Sequence, residues 1–124
     1  MYRTGLTLLL AFMLSPIFAQ TATPYDGTWK MKFQGVQATL GGEVVIKEGG
    51  GTWDQDPGLA KNDCFKRVAP ITVELATAEQ LVFKVNRSKA LTGCPDWTMK
   101  FKRVDDRTLQ GEFPDGRAIS LTRQ

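Results

Sequence analysis

Apolar and polar residues alternate with a period of two through much of this chain. In residues 28–34, the side chains of Trp29, Met31 and Phe33 fall on one face of an extended strand, and polar side chains fall on the other. The same alternation returns in five later segments, which are residues 71–75, 81–85, 97–102, 108–113 and 119–123. Two further extended segments, residues 43–47 and 51–53, bring the number of predicted strands to eight. The pattern predicts half-buried antiparallel strands and therefore an all-β fold.

Turn-forming residues separate consecutive strands and set the predicted topology. Gly49-Gly50 and residues 77–79, 105–107 and 114–116 suit tight reversals of the chain. Because most links between successive strands are short, we expect an up-and-down meander. An eight-stranded antiparallel meander of this size closes, or nearly closes, into a small barrel.

Two connections are long, and each of them contains one cysteine. They are residues 54–69, with Cys64, and residues 86–96, with Cys94. In an eight-stranded meander these connections follow the third and fifth strands, so they lie at the same end of the barrel. An even cysteine count in an exported chain favours a disulfide, and we predict that Cys64 and Cys94 are bonded. The alternative is a pair of buried free thiols.

The first 19 residues have the character of a secretory signal peptide. Arg3 supplies a positive charge, residues 5–14 are mostly apolar, and Ala19 ends the segment with a small side chain. The apolar run is shorter than the roughly 20 residues that span a bilayer. We therefore predict a signal peptide at residues 1–19 and a single domain at residues 20–124. The domain is expected in a periplasm or outside the cell, without membrane contact after cleavage.

Composition argues against several classes of function. The chain contains no histidine, so a Ser-His-Asp or Cys-His catalytic site is excluded. Two thiolates alone do not complete a tetrahedral metal site. The formal net charge of +3 is too small to favour nucleic acid as a partner. We expect no enzymatic activity, no cofactor and no metal.

Two groups of aspartates leave acid–base catalysis and calcium binding open as alternative functions. Asp105 and Asp106 are adjacent and can act as an acid–base pair, although aspartate is favoured in a hairpin turn for its geometry alone. Asp54, Asp56 and Asp63 lie in or beside one long connection and can hold calcium, although their spacing is not that of a calcium-binding loop.

Residues at the two ends of the predicted domain resemble the signature of the calycin (lipocalin-like) family. That signature is a Gly-x-Trp at the start of the first strand, here Gly27-Thr28-Trp29, and a late basic residue, here Arg123. In that family the tryptophan packs across the closed end of the barrel and the basic side chain covers it. The resemblance implies a lipocalin-like barrel in which Arg123 makes a cation–π contact with Trp29, opposite the long loops. The chain also looks like small exported bacterial proteins of unassigned function.

Four cations stand close in sequence to the two cysteines, and they are Lys66, Arg67, Arg87 and Lys89. A disulfide gathers them at one end of the barrel, where they can receive an anionic ligand or an acidic protein surface. The alternative is that they are solvated loop charges, balanced by nearby aspartates.

We therefore predict an exported, monomeric, non-enzymatic module that binds a small or anionic ligand through these four cations at the open end of the barrel. The alternative is a periplasmic protein-directed inhibitor or immunity factor that uses the same loops. An empty interior favours the small-molecule carrier, whereas a packed interior favours a protein partner. Bulky inward residues predict a filled interior, and they are Trp29, Met31, Phe33, Phe83, Phe101 and Phe113.

Overall fold

The computed structural model describes residues 22–124, so the predicted signal peptide lies outside the described residues. Within this range eight antiparallel strands form a closed barrel. The strands are β1 (Gly27–Gln34), β2 (Thr39–Lys47), β3 (Gly50–Gln55), β4 (Ala69–Ala76), β5 (Gln80–Val85), β6 (Trp97–Asp105), β7 (Thr108–Glu112) and β8 (Ala118–Arg123). A 3₁₀ helix (Asp63–Lys66) lies between β3 and β4, and helix α1 (Arg87–Ala90) lies between β5 and β6. None of the helices in this range is long and apolar enough to cross a membrane.

The first and last strands close the barrel. Across this seam Met31 of β1 pairs with Leu121 of β8, while the other edge of β1 pairs with β2. Each remaining strand pairs with its neighbours in sequence. The predicted all-β meander is therefore confirmed, and the strand predicted at residues 51–53 is present as the longer β3.

The β2–β3 hairpin turns through a two-residue loop whose backbone matches the twist of the strands. Glu48 and Gly49 form this loop with positive φ angles of 50° and 81°. Paired positive φ values are typical of the hairpin turns that suit right-twisted strands. The glycine-rich segment of residues 49–51 therefore completes the turn and begins β3.

Inward side chains fill the barrel with apolar groups. The six bulky inward residues predicted from the sequence are all buried. Trp53 contacts three other aromatic rings, with centroid distances of 5.9 Å to Phe83, 6.2 Å to Phe113 and 6.5 Å to Trp97. Phe83 in turn stacks on Phe101 at 5.4 Å. Packing of large rings against one another leaves the interior occupied by the protein's own side chains.

One end of the barrel is closed by Trp29 and Arg123. The Trp29 indole is 1% exposed and donates from Nε1 to the carbonyl oxygen of Tyr25 at 2.8 Å. The Arg123 guanidinium lies 4.3 Å from the Trp29 ring centroid. It also donates to the carbonyl oxygens of Pro24 at 2.7 Å and Asp26 at 2.8 Å. The cation–π contact expected from the resemblance is present, at the end opposite the disulfide.

Candidate functional site

The open end of the barrel is built from four connections, which are residues 35–38, 56–68, 86–96 and 113–117. The disulfide between Cys64 and Cys94 joins the second and third of these connections, as the sequence predicted. Loops that a covalent bond holds in place lose little conformational entropy when they bind a partner. This end is therefore suited to recognition.

The four cations of the predicted patch lie in the two disulfide-linked connections but differ in exposure. Lys66, Arg67 and Lys89 have exposed side chains, and the Lys66 ammonium lies 3.4 Å from the Asp63 carboxylate. Arg87, in contrast, is only 1% exposed. Arg87 therefore lies inside the mouth of the barrel, whereas the other three cations lie on its surface. The binding role of the four residues stays a prediction.

Arg87 begins helix α1 and inserts its guanidinium among aromatic rings. The guanidinium carbon lies 4.4 Å from the ring centroid of Trp97 and 5.0 Å from that of Phe65. Its Nη2 donates to Gln55 Oε1 at 2.9 Å, and its Nη1 donates to the carbonyl oxygen of Cys64. Burial lowers the pKa of Arg87 to about 10, because the charged form loses hydration. The guanidinium still carries its charge at neutral pH.

This buried charge is not neutralised by the part of the chain that the structure describes. Within residues 22–124, no carboxylate lies within ion-pairing distance of Arg87. Arg87 Nε and the indole Nε1 of Trp97 are also buried without a hydrogen-bond acceptor among these residues. A buried cation and buried donors without partners cost free energy of folding. Such a cost identifies the surroundings of Arg87 as a candidate binding site.

A groove with a volume of about 1030 Å³ opens at the same end of the barrel. Its walls and floor are formed by Phe33, Gly35, Val36, Gln37, Ala38, Leu40, Gln55, Pro57, Gly58, Leu59, Ala60, Phe65, Asp115 and Arg117. Two large apolar residues of this set are exposed, Val36 to 94% and Leu59 to 70%. Exposed apolar residues that line one depression are typical of interaction sites.

An arginine–aspartate ion pair, Arg117 with Asp115, also lines the groove. Arg117 Nε donates to Asp115 Oδ2 at 2.8 Å, and the Arg117 backbone N–H donates to Oδ1 of the same carboxylate at 3.0 Å. The Arg117 guanidinium lies 4.9 Å from the ring centroid of Phe113. The backbone hydrogen bond is the main cause that lowers the pKa of Asp115. The Asp115 carboxylate therefore remains ionised at neutral pH.

The adjacent carboxylates at the other end of the barrel are engaged in turn geometry. Asp105 Oδ1 accepts a hydrogen bond from the backbone N–H of Arg107 at 2.8 Å, and this bond is the main cause that lowers the pKa of Asp105. Asp106 forms an ion pair with Arg103. A general acid at neutral pH needs a raised pKa, so the lowered pKa of Asp105 does not favour that role.

The three carboxylates considered as calcium ligands also have local partners or face solvent. Asp56 Oδ1 accepts from the backbone N–H of Gly58 at 2.9 Å, Asp63 pairs with Lys66, and Asp54 is exposed on β3. Among residues 22–124, no cluster of three or more acidic, cysteine or histidine side chains is arranged to hold a metal ion. The calcium alternative gains no support from this arrangement.

Sequence reasoning missed the groove because most of its residues lie in loops. Val36 and Leu59 follow no period, so nothing in the sequence placed them on one surface. Gln55 and Phe65 carry no reactive group that would have drawn notice. One signal was present, since Pro57-Gly58-Leu59 puts a large apolar residue directly after turn-forming residues, where a polar side chain is the norm.

Comparisons with known proteins do not assign the chain to a family. No protein-family model matches it, and no curated protein or solved structure is significantly similar to it. The calycin resemblance therefore depends on the contact between Trp29 and Arg123 and on the barrel topology. Membership in that family stays a prediction.

Proposed function

We propose that this protein is an exported, non-enzymatic binding module that recognises another protein through the groove at the open end of the barrel. The observation that carries the proposal is the exposure of Val36 and Leu59, 94% and 70%, on the rim of one apolar groove. Apolar side chains in such an arrangement are typical of a surface that a partner covers. Export is supported by the disulfide and by the signal peptide predicted at residues 1–19.

The filled interior supports a protein partner rather than an enclosed small ligand. Trp53, Phe83, Phe101 and Phe113 occupy the space that a carrier keeps for its cargo. A ligand at this end therefore has to lie in the open groove, above the aromatic side chains. Of the two functions that the sequence left open, a protein-directed inhibitor or immunity factor fits this packing better.

Charge substitutions on the groove rim test the proposal. The double variant Val36→Asp/Leu59→Asp puts two carboxylates on exposed positions and leaves the barrel core intact. The immobilised mature chain is expected to capture one stoichiometric partner from its compartment, and the double variant is expected to bind it at least about 30-fold more weakly. The reason is that an apolar anchor in a protein interface contributes about 2 kcal/mol or more.

Val104 provides the matched control, because it is also exposed, to 56%, but lies on β6 and outside the groove. The Val104→Asp variant is expected to capture the partner as well as the wild type does. Equal capture by the wild type and the groove variant would contradict the proposal.

A small-ligand carrier is the second candidate, because a groove of about 1030 Å³ is comparable in size to small-molecule sites. Native mass spectrometry of the purified, oxidised protein distinguishes the two. A retained small molecule, together with the absence of a captured protein, would replace the proposal by a carrier whose ligand lies in the groove. A bare oxidised monomer that captures a protein is the result expected for the protein-directed module.

A further inference from the structure

The floor of the groove lies directly over the buried charge of Arg87. Gln55 and Phe65 line the groove, and both contact the Arg87 guanidinium, the first by a hydrogen bond of 2.9 Å and the second through its ring at 5.0 Å. Within residues 22–124 no carboxylate pairs with this cation. Because solvent screens a buried charge weakly, its field extends to the groove floor. The floor is therefore electropositive although its surface is mostly apolar.

Gln55 presents a directed hydrogen-bond donor at this position. Its side-chain oxygen Oε1 accepts from Arg87 Nη2 and from Trp53 Nε1, the latter at 3.1 Å. Since arginine and tryptophan side chains only donate, the amide orientation is fixed, with oxygen toward them and Nε2 away from them. Among the described residues, Gln55 Nε2 donates to no acceptor. Its N–H groups are therefore free to bind an acceptor in the groove.

The other charged side chains that line the groove cancel each other. Arg117 and Asp115 form an ion pair there, at 2.8 Å between Nε and Oδ2, so they add no net charge. Beside Phe65, Lys66 pairs with Asp63, whereas Arg67 is an exposed cation without an ion pair among the described residues. Charge complementarity thus favours a negatively charged occupant for a site whose rim is apolar.

We infer that the partner protein inserts an apolar side chain between Val36 and Leu59 and places a carboxylate beside it, over Gln55. The carboxylate accepts hydrogen bonds from Gln55 Nε2 and supplies the counter-charge that Arg87 lacks. The recognised segment therefore contains an apolar residue next to an aspartate or glutamate. This inference rests on the proposed function, because it names the chemistry of the partner for the same groove.

Selection from a phage-displayed library of random peptides tests the chemistry of the occupant. The oxidised mature chain, residues 20–124, is the target, and the Val36→Asp/Leu59→Asp variant is the matched counter-target. We expect peptides that are enriched on the wild type alone. In these peptides a large apolar residue is expected next to Asp or Glu more often than in the starting library.

The affinity of one enriched peptide then isolates the role of the carboxylate. Replacing its acidic residue by the matching amide is expected to weaken binding about tenfold, because the neutral amide oxygen accepts a weaker hydrogen bond and carries no counter-charge for Arg87. The Arg87→Met variant is expected to bind the acidic peptide more weakly than the wild type does, by a similar factor, and to bind the amide peptide almost as well as the wild type does. The Arg87→Lys variant is expected to recover part of the affinity for the acidic peptide. The Lys66→Gln/Arg67→Gln variant changes exposed residues alone. Its affinity for the acidic peptide is expected to be about fivefold lower than that of the wild type, and this difference is expected to shrink at high salt.

The outcomes separate the two proposals. Peptides that are specific for the wild type but carry no acidic residue, or whose amide versions bind equally well, would overturn the carboxylate inference and leave the groove as the binding site. Peptides that bind the wild type and the groove variant equally, or no enrichment at all, would remove the groove as the site and with it both proposals.

Discussion

Arg123 and Arg87 both stack on a tryptophan ring, at 4.3 Å from Trp29 and 4.4 Å from Trp97, yet they act differently on the fold. Arg123 is partly exposed and directs its donors to backbone carbonyl oxygens, so its charge is hydrated and its hydrogen bonds are satisfied. Arg87 is buried, and its Nε has no acceptor among the described residues. The first residue therefore stabilises the closed end, whereas the second adds a free-energy cost at the open end.

Replacement of Arg123 by methionine tests the first half of this contrast. The Arg123→Met variant is expected to lose about 2 kcal/mol of unfolding free energy, because it gives up the cation–π contact and the hydrogen bonds to Pro24 and Asp26. Urea denaturation followed by tryptophan fluorescence measures the loss. Arg67→Met is the control, since Arg67 is exposed on a loop and should change stability little. Equal losses in the two variants would contradict the role assigned to Arg123.

The two arginines also differ in how far the sequence predicts them. Arg123 continues the alternation of Ile119 and Leu121, so its phase on β8 places it on the inward face, above Trp29. Arg87 lies in a connection without a period, and its burial depends on the positions of rings contributed by two other segments. A pattern in one segment cannot specify such a convergence, so the sequence grouped Arg87 with three other cations without indicating that it is buried.

Strand β3 is the element whose sequence shows its structure least clearly. It begins with two glycines, so apolar and polar side chains alternate over only a few residues. Gly51 has a φ of 137°, and a Cβ atom at this position would overlap the carbonyl oxygen of Val45 on β2. The glycine that weakens the sequence signal is therefore the residue that lets the two strands approach each other.

Alanine at Gly51 is expected to destabilise the barrel strongly. The Gly51→Ala variant should lose about 3 kcal/mol of unfolding free energy, because the new methyl group forces β2 and β3 apart and the backbone conformation is strained. Gly116→Ala is the matched control. Gly116 also has a positive φ, 91°, but no atom lies within 4 Å of the added Cβ, so a loss of about 1 kcal/mol is expected. Denaturation curves that show equal losses would exclude the close approach as the cause.

The disulfide stabilises the two long connections and, with them, the groove. Cys64 and Cys94 are separated by 30 residues, for which the loop-entropy relation gives about 3.6 kcal/mol. The Cys64→Ala/Cys94→Ala variant is therefore expected to unfold at a lower urea concentration, with a loss of about 3 kcal/mol and an unchanged barrel circular dichroism spectrum at low urea. A loss below about 1 kcal/mol would contradict the loop-entropy value for this disulfide.

For the molecule as a whole, the barrel could be predicted and the groove could not. Alternation within a strand is a local property, and closure follows once turns join eight such strands, so the fold is specified segment by segment. The groove is formed where residues 35–38, residues 57–60, Phe65 and Arg117 meet. These parts carry no common period, and their proximity exists only after the barrel has closed.

The titratable groups of the whole chain predict how its stability depends on pH. The chain has no histidine, so no side chain with an ordinary pKa titrates between about pH 5 and pH 8. The pKa values of Asp96, Asp105 and Asp115 are lowered below the ordinary value of 3.8, chiefly by backbone hydrogen bonds from Ser88, Arg107 and Arg117 respectively. Because the folded state holds these groups ionised, their contribution to stability is present above the ordinary pKa and is lost as the pH falls through the folded-state values.

Unfolding free energies measured by urea titration should therefore be constant from about pH 8 to about pH 5 and should fall below about pH 4. The Asp96→Asn variant is the internal control, since Asp96 accepts hydrogen bonds from the backbone N–H of Ser88 at 2.8 Å and from its Oγ at 3.0 Å. It is expected to be less stable than the wild type at neutral pH and to approach the wild type in acid, where Asp96 of the wild type becomes protonated. A stability that changes by more than about 1 kcal/mol between pH 8 and pH 5, or a difference between the two proteins that widens in acid, would contradict this assignment.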